Sequence, residues 1–124
     1  MEKYVTVIDD DPIALMVAGL VLKKIPNIKV QTFTDGIEAL QVLRSSLTSD
    51  KKNQFVFLDL NMPLYDGWEV VQQMGADEIL QSVKIVLLSS SVDPEDQQRA
   101  KLYSQVIAFL EKPLSKDAVE KLIQ

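Results

Sequence analysis

Three acidic side chains with the chemistry of a metal or phosphoryl site stand at the ends of apolar segments in this chain. Asp9 and Asp10 directly follow the largely apolar residues 4–8, and Asp59 lies near the end of the apolar run in FVFLDLNMP. Converging carboxylates repel one another by about 4 kcal/mol at about 4 Å and an effective dielectric of about 20. They therefore favour a hard cation such as Mg²⁺, which prefers oxygen ligands. A carboxylate can also attack a phosphoryl group and become an aspartyl phosphate.

A hydroxyl and an ammonium group complete the set of candidate functional groups. Ser89 ends the apolar run KIVLLS, and Lys112 stands just before Pro113. Phosphoryl transfer depends mainly on positioning and charge neutralisation, which a cation and a lysine can supply while a hydroxyl donates a hydrogen bond. Because the sequence here is the triplet SSS, Ser90 is an alternative candidate for this hydroxyl. We favour Ser89 because it follows the apolar run directly.

The composition excludes several other kinds of site. The 124 residues include no cysteine and no histidine, which excludes thiol catalysis, disulfides, imidazole bases and imidazole metal ligands. The net charge of −5 argues against a nucleic-acid-binding face. No apolar run approaches the roughly 18 residues of a membrane span, and the N-terminus lacks the form of a signal peptide. We therefore expect no membrane association and a cytoplasmic location.

Alternating strand and helix patterns predict how these groups are positioned. Strand-like segments occupy residues 4–8, 28–33, 55–60, 84–89 and 106–110, with helical patterns between and after them. This alternation predicts an α/β fold, a five-stranded parallel sheet with helices on both faces, in one domain spanning residues 1–124. The carboxyl ends of parallel strands share one edge, where open α/β sheets bind ligands. We therefore expect the candidate groups to converge there.

Helix signals assign further residues to structure. Asp11 followed by Pro12 predicts a cap and first position for the first helix, so Asp11 is expected to serve the helix more than the acidic site. Caps are also predicted at Asp35, Asp66, Asp93 and Ser115. An apolar stripe at helical spacing predicts the core face of the first helix, formed by Ala14, Val17, Ala18, Val21 and Leu22.

The ordered set of residues resembles the receiver domain of two-component response regulators over essentially the whole chain. The resemblance rests on the acid pair, on the acceptor position in LDLNMPLYDG, on the Ser89-Ser90 pair, on an aromatic residue in the fifth strand and on a Lys-Pro pair. The last two are Phe109 and Lys112-Pro113.

The resemblance implies a flavodoxin-like, doubly wound fold with strand order 2-1-3-4-5. It implies that Asp59 accepts a phosphoryl group from a phosphohistidine on a histidine kinase or phosphotransfer protein. Mg²⁺ would be bound by Asp10, Asp59 and the backbone carbonyl of Asn61, with Asp9 acting through water. A domain of this kind catalyses only its own phosphorylation and dephosphorylation, so we do not expect a classical enzyme.

The resemblance also assigns roles in signalling. Lys112 would bridge to Asp59, and the peptide bond before Pro113 would be cis. Ser89 would turn toward the phosphoryl oxygen, and Phe109 would swing inward and reshape the face made by helix 4, strand 5 and helix 5. The phosphate would then be read out by another protein or relayed onward.

Helix 1 is apolar beyond its predicted core stripe. The additional residues are Ile13, Leu15, Met16 and Leu20. They form either a wide buried face or a docking patch for the helical bundle that carries the phosphohistidine, as receivers commonly meet such bundles through helix 1.

One segment departs from the family pattern. Many receivers carry a small Gly-Ala turn before strand 5, whereas Tyr103 and Ser104 stand there in this chain.

Two other functions are possible for a chain of this kind. A phosphate-independent interaction module is disfavoured because the acids and the lysine are all present. A Mg²⁺-dependent phosphatase is disfavoured because Asn61 stands where a second acid is usual. Because the chain ends after the fifth helix, we expect a stand-alone receiver.

Overall fold

A parallel sheet with helices on both faces forms the framework of the molecule. The structure, a computed structural model, describes residues 2–47, 53–62 and 66–123. These residues form five strands and five helices, which alternate along the chain: β1 (Lys3–Ile8), α1 (Pro12–Leu22), β2 (Ile28–Phe33), α2 (Gly36–Leu47), β3 (Gln54–Asp59), α3 (Gly67–Ala76), β4 (Lys84–Ser89), α4 (Pro94–Ala100), β5 (Val106–Glu111) and α5 (Lys116–Ile123).

The strand order is β2-β1-β3-β4-β5, with every neighbouring pair parallel. Both the α/β class and the order implied by the resemblance are confirmed. All six residues of β3 are buried, as expected of a central strand whose two faces are covered by helices. β3 ends at Asp59 rather than at residue 60, and β5 extends one residue further than predicted, to Glu111.

Alternate side chains of the strands pack into two hydrophobic clusters among the described residues. Val56 and Leu58 of β3 pack with α2 and α3 on one face. Phe55 and Phe57 of the same strand pack with α1 and α5 on the other. Because strand side chains alternate between faces, the continuous apolar run of β3 serves both clusters at once.

The orientation of α1 differs from the prediction. Leu15 is only 8% exposed and packs in the core with Ala18 and Leu22, whereas Val17 is 38% exposed. The assignment of Leu15 to an outer patch and of Val17 to the buried stripe is therefore wrong. Nearly every side of α1 is apolar, so its periodicity did not show which face meets the sheet. Ile13, Met16 and Leu20 are exposed, as expected for a patch.

The predicted helix caps are confirmed. The Asp11 carboxylate accepts a hydrogen bond from the Ile13 N–H at 2.9 Å, and Pro12 begins α1. The remaining caps form the same kind of contact with a backbone N–H two or three residues ahead; they are Asp35, Asp66, Asp93 and Ser115. Among the described residues, no helix combines the length and the apolar character needed to cross a bilayer.

Candidate functional site

The strand ends bring three carboxylates together at the carboxyl edge of the sheet. Ile8 pairs with Leu58 across β1 and β3, so Asp9, which follows β1, and Asp59, the last residue of β3, lie at the same level of the sheet edge. Asp9, Asp10 and Asp59 each direct one carboxylate oxygen into a group whose atoms lie within 4.8 Å of one another. Asp9 is 2% exposed and Asp59 is 4% exposed, while Asp10 is open to solvent.

Lys112 is the cationic group of this site. Its Nζ donates a hydrogen bond to Asp9 Oδ2 at 2.6 Å and lies 3.4 Å from Asp59 Oδ2. The ammonium thus bridges the two buried carboxylates and lies closer to Asp9, although the resemblance implied a bridge to Asp59. The backbone N–H of Lys112 donates to the Ser89 carbonyl at 2.8 Å, and the peptide bond before Pro113 is cis, as expected.

Burial and the Asp9 charge act on the pKa of Asp59 in one direction, and two hydrogen-bond donors act in the other. Burial raises the pKa of Asp59, and the Asp9 charge raises it further, while the Asn61 backbone N–H and Lys112 lower it; the net shift is upward. Burial lowers the pKa of Lys112, but its hydrogen bond to Asp9 and the charges of Asp59 and Asp9 outweigh burial, so the net shift is upward. The positive charge near Asp59 therefore does not offset the cost of ionising its carboxyl group.

The donor set fits Mg²⁺. Among the described residues, three carboxylates face one ammonium group, which leaves an excess of negative charge when all are ionised. Carboxylate oxygens are hard ligands of the kind that Mg²⁺ selects. Asp10 and Asp59 are the expected direct ligands, and Asp9 already accepts hydrogen bonds from Lys112 and the Asp11 N–H, which agrees with binding through water. The part of the Asn61 carbonyl stays a prediction.

Ser89 is the buried hydroxyl of the triplet. It is 2% exposed, whereas Ser90 is exposed. Its Oγ donates to the Ser91 carbonyl at 2.8 Å and accepts a hydrogen bond from the Asn61 side-chain amide at 3.1 Å. Asn61 also donates its backbone N–H to Asp59 Oδ1 at 3.1 Å. This residue therefore joins the acidic group to the hydroxyl, a connection between distant strand ends that the sequence did not reveal.

Phe109 lies at the border of the core. It is half-buried, pairs with Leu87 across β4 and β5, and packs against the cluster on the α2–α3 face. Its role as a switch residue stays a prediction.

Gly67 places the start of α3 against the end of β3. A Cβ atom at this position would lie 2.8 Å from the Asp59 carbonyl oxygen and 2.8 Å from the Leu60 Cα. Both atoms belong to the backbone, so the two segments approach more closely than any residue with a side chain permits. Only the Asp66-Gly67 pair hinted at this contact in the sequence, and residues 63–65 of the same motif lie outside the described residues.

Comparisons with known proteins agree on one family. The family model for the response regulator receiver domain matches residues 5–124. The probable methanogenesis regulatory protein FilR2 of Methanothrix harundinacea is 33% identical over 98 residues, which cover 77% of this chain and 62% of FilR2. Histidine kinase CKI1 of Arabidopsis thaliana is 29% identical over 123 residues, which cover 91% of this chain and 11% of CKI1. The chain thus spans less than two thirds of either relative.

A solved structure extends this similarity to the fold. The crystal structure of a two-component response regulator from Cytophaga hutchinsonii matches with a TM-score of 0.88 and 27% identity. The match covers 98% of this chain and 93% of that chain.

Proposed function

Because the chain belongs to the response regulator receiver domain family, we propose that Asp59 accepts a phosphoryl group from a phosphohistidine on a histidine kinase or phosphotransfer protein. Phosphorylation on aspartate is general in this family, and receiver domains are signalling modules rather than classical enzymes. The observation that carries the proposal is the environment of Asp59, whose buried carboxylate lies 3.4 Å from the Lys112 ammonium and beside two further acids.

The proposed reaction transfers the phosphoryl group between two side chains. A carboxylate oxygen of Asp59 attacks phosphorus, the P–N bond of the phosphohistidine breaks, and its electron pair stays on the partner's imidazole. The Asn61 N–H holds Asp59 Oδ1, which orients the nucleophile. The Lys112 ammonium neutralises negative charge on the transferred group. Mg²⁺, when bound by Asp10 and Asp59, supplies further positive charge for the phosphoryl oxygens.

The proposed output begins at Ser89. Its hydroxyl leaves the Ser91 carbonyl and donates to a phosphoryl oxygen on Asp59, and Phe109 moves into the core. The loop that leads to α4 changes as a result, and the face formed by α4, β5 and α5 presents a new surface to a protein partner. One local charge thereby biases a two-state element.

The proposed donor docks on α1. Ile13, Met16, Val17 and Leu20 are exposed apolar residues, which we call the α1 patch. Val17 of the patch lines an apolar cavity of about 150 Å³ that reaches from α1 to Asp9, Lys112 and Pro113, whereas Met16 and Leu20 line a second cavity on the β2 side of the helix. An exposed apolar face beside the acceptor suits a helical bundle that must bring a phosphohistidine close to Asp59.

A labelling experiment tests the phosphoacceptor. The protein is incubated with Mg²⁺ and acetyl phosphate, and intact-mass spectrometry measures phosphorylation. We expect a single base-labile phosphoryl group in the wild-type protein and none in Asp59→Asn. Asp35→Asn is the matched control, because Asp35 is an exposed helix cap outside the site. Phosphorylation that persists in Asp59→Asn would refute the assignment.

The fate of the phosphoryl group is a separate part of the proposal. We propose that the phosphorylated domain either binds a protein partner or relays its phosphate onward.

A further inference from the structure

Helix α4 is joined to the rest of the molecule by few buried side chains. All seven residues of α4 are described, and of these only Ala100 is buried. Glu95 and Arg99 are exposed. A short helix with so little buried apolar surface depends on individual side-chain contacts for its position.

Arg99 makes one such contact with α3. Its guanidinium carbon lies 4.5 Å from the centroid of the Trp68 ring, within the range of a cation–π interaction. The Tyr103 ring lies on Trp68 as well, with centroids 5.9 Å apart and planes inclined by 30°. The Tyr103 hydroxyl accepts a hydrogen bond from the Gln72 amide at 3.3 Å. We call the three side chains Trp68, Arg99 and Tyr103 the Trp68 stack.

The stack connects the acceptor with α4. Trp68 follows Gly67, whose backbone packs against the Asp59 carbonyl, and the Trp68 side chain is 5% exposed. Trp68 is therefore a buried ring on the residue next to this backbone contact. Arg99 forms no ion pair with any residue in the described part of the chain, so the Trp68 ring is its specific partner. Tyr103 stands where many receivers carry a small turn, which gives this chain a ring to add to the stack.

The loop from β4 connects Ser89 with the same helix. The Ser89 hydroxyl donates to the Ser91 carbonyl, and Asp93 caps α4 two residues further along. In this position the hydroxyl proton is directed to Ser91 and not to Asp59. The stack is formed in this arrangement.

We propose that the Trp68 stack stabilises the unphosphorylated position of α4 and is weakened when Asp59 carries a phosphoryl group. The inference rests on the proposed function of Asp59. When Ser89 leaves Ser91, the loop before α4 shifts, and Arg99 moves relative to the buried Trp68 ring. Because coupling between two sites is reciprocal, an intact stack must lower the affinity of Asp59 for a phosphoryl group or its mimic.

Binding of beryllofluoride, a phosphoryl mimic, tests the coupling. Fluorine NMR measures its affinity in the presence of Mg²⁺, and fluorescence of Trp68, the single tryptophan, measures the stack. We expect Arg99→Ala to bind beryllofluoride about two- to five-fold more tightly than the wild type, the factor expected of an exposed cation–π contact. Arg99→Lys keeps a cation and should restore most of the wild-type affinity. Lys101→Ala, the matched loss of charge at the exposed end of α4, should leave it unchanged.

The possible results separate the two proposals. If the wild type binds no beryllofluoride, the proposed function and the inference both fail. If the wild type binds it but Arg99→Ala behaves like Lys101→Ala, only the inference fails. Tyr103→Leu disrupts the stack at a second position. It replaces Arg99→Ala in the test if circular dichroism shows that Arg99→Ala does not fold. The inference is supported if Arg99→Ala binds beryllofluoride more tightly than the wild type, and if its Trp68 emission without beryllofluoride already resembles that of the beryllofluoride-bound wild type.

Discussion

At the scale of single residues, Asp59 is placed where its charge costs folding free energy. It is buried beside Asp9, and the raised pKa of Asp59 shows that the Asn61 N–H and Lys112 do not offset burial and the Asp9 charge. Perturbed pKa values of this kind cluster at functional sites, where burial and like charges surround a reactive group. The same surroundings that make the charge costly therefore mark Asp59 as the functional carboxylate.

Removal of the Asp59 charge should stabilise the protein. Without Mg²⁺ at pH 7, we expect Asp59→Asn to raise the free energy of unfolding by about 1 kcal/mol, the usual scale of a single substitution. Because the folded-state pKa is raised, the penalty is absent below the ordinary pKa and grows as pH rises through the folded value. The gain should therefore vanish in acid. Urea unfolding at pH 7 and below the ordinary pKa of aspartate measures the stability of both proteins. Added Mg²⁺ should narrow the difference between them at pH 7 by stabilising the wild type.

The exposed cap substitution Asp35→Asn is the matched control, since asparagine caps a helix about as well as aspartate. Its stability should stay within about 0.5 kcal/mol of the wild type. A less stable Asp59→Asn protein at pH 7 would contradict the charge argument.

Lys112 should have the opposite effect on stability. Lys112→Met removes the partner of buried Asp9 and should cost about 2 kcal/mol without Mg²⁺. This loss is somewhat less than that of a fully buried pair because the lysine side chain is 25% exposed. Thermal unfolding measures the loss. Lys116→Met breaks an exposed pair with Glu120 and should cost less than about 0.5 kcal/mol. Equal losses of stability in the two variants would show that the Lys112–Asp9 pair contributes no more to stability than an exposed pair.

At the scale of elements, the close approach of α3 to β3 positions the acceptor. The contact at Gly67 is between backbones, with no side chain separating the two elements. Asp66 caps α3 just before it, and Trp68 packs just after it. The first turn of α3 therefore lies in direct contact with the end of β3 that carries Asp59.

The same substitution at two glycines should have opposite effects. Gly67→Ala forces the new Cβ against backbone atoms at 2.8 Å and should destabilise the protein by about 2 kcal/mol. Gly19 lies inside α1, where an added Cβ would meet no atom of another segment within 4 Å. Gly19→Ala should therefore stabilise the protein by about 0.5–1 kcal/mol. Chemical denaturation measures both, and a neutral Gly67→Ala would refute the close contact.

At the scale of the whole molecule, the α1 patch begins beside the acidic site and continues along the helix away from it. α1 begins three residues after Asp9, and the cavity beside the patch is lined by Ala14, Val17 and Lys112. A donor bound to the α1 patch, as proposed, would therefore lie close to the acceptor. The face formed by α4, β5 and α5 would stay accessible to the proposed output partner.

Neighbouring residues of α1 should separate docking from folding. We expect Met16→Lys to fold normally and to accept phosphate from acetyl phosphate, but to lose at least about ten-fold in transfer rate from its cognate phosphohistidine donor, about 1.4 kcal/mol of docking. Leu15→Lys places a charge in the core and should lose several kcal/mol of stability. Transfer rates and thermal unfolding measure the two effects. Unchanged transfer to Met16→Lys would exclude the α1 patch as the docking surface.

The sequence by itself determined the alternation of strands and helices, the caps and the convergence of Asp9, Asp10, Asp59, Ser89 and Lys112. These follow from local patterns and from the rule that parallel strands end at one edge. The tertiary structure decided which face of α1 is buried, because a helix apolar on all sides carries no periodic signal. It also decided that Lys112 lies closer to Asp9 and that Gly67 contacts Asp59, since both depend on distances between segments remote in sequence or separated by a loop.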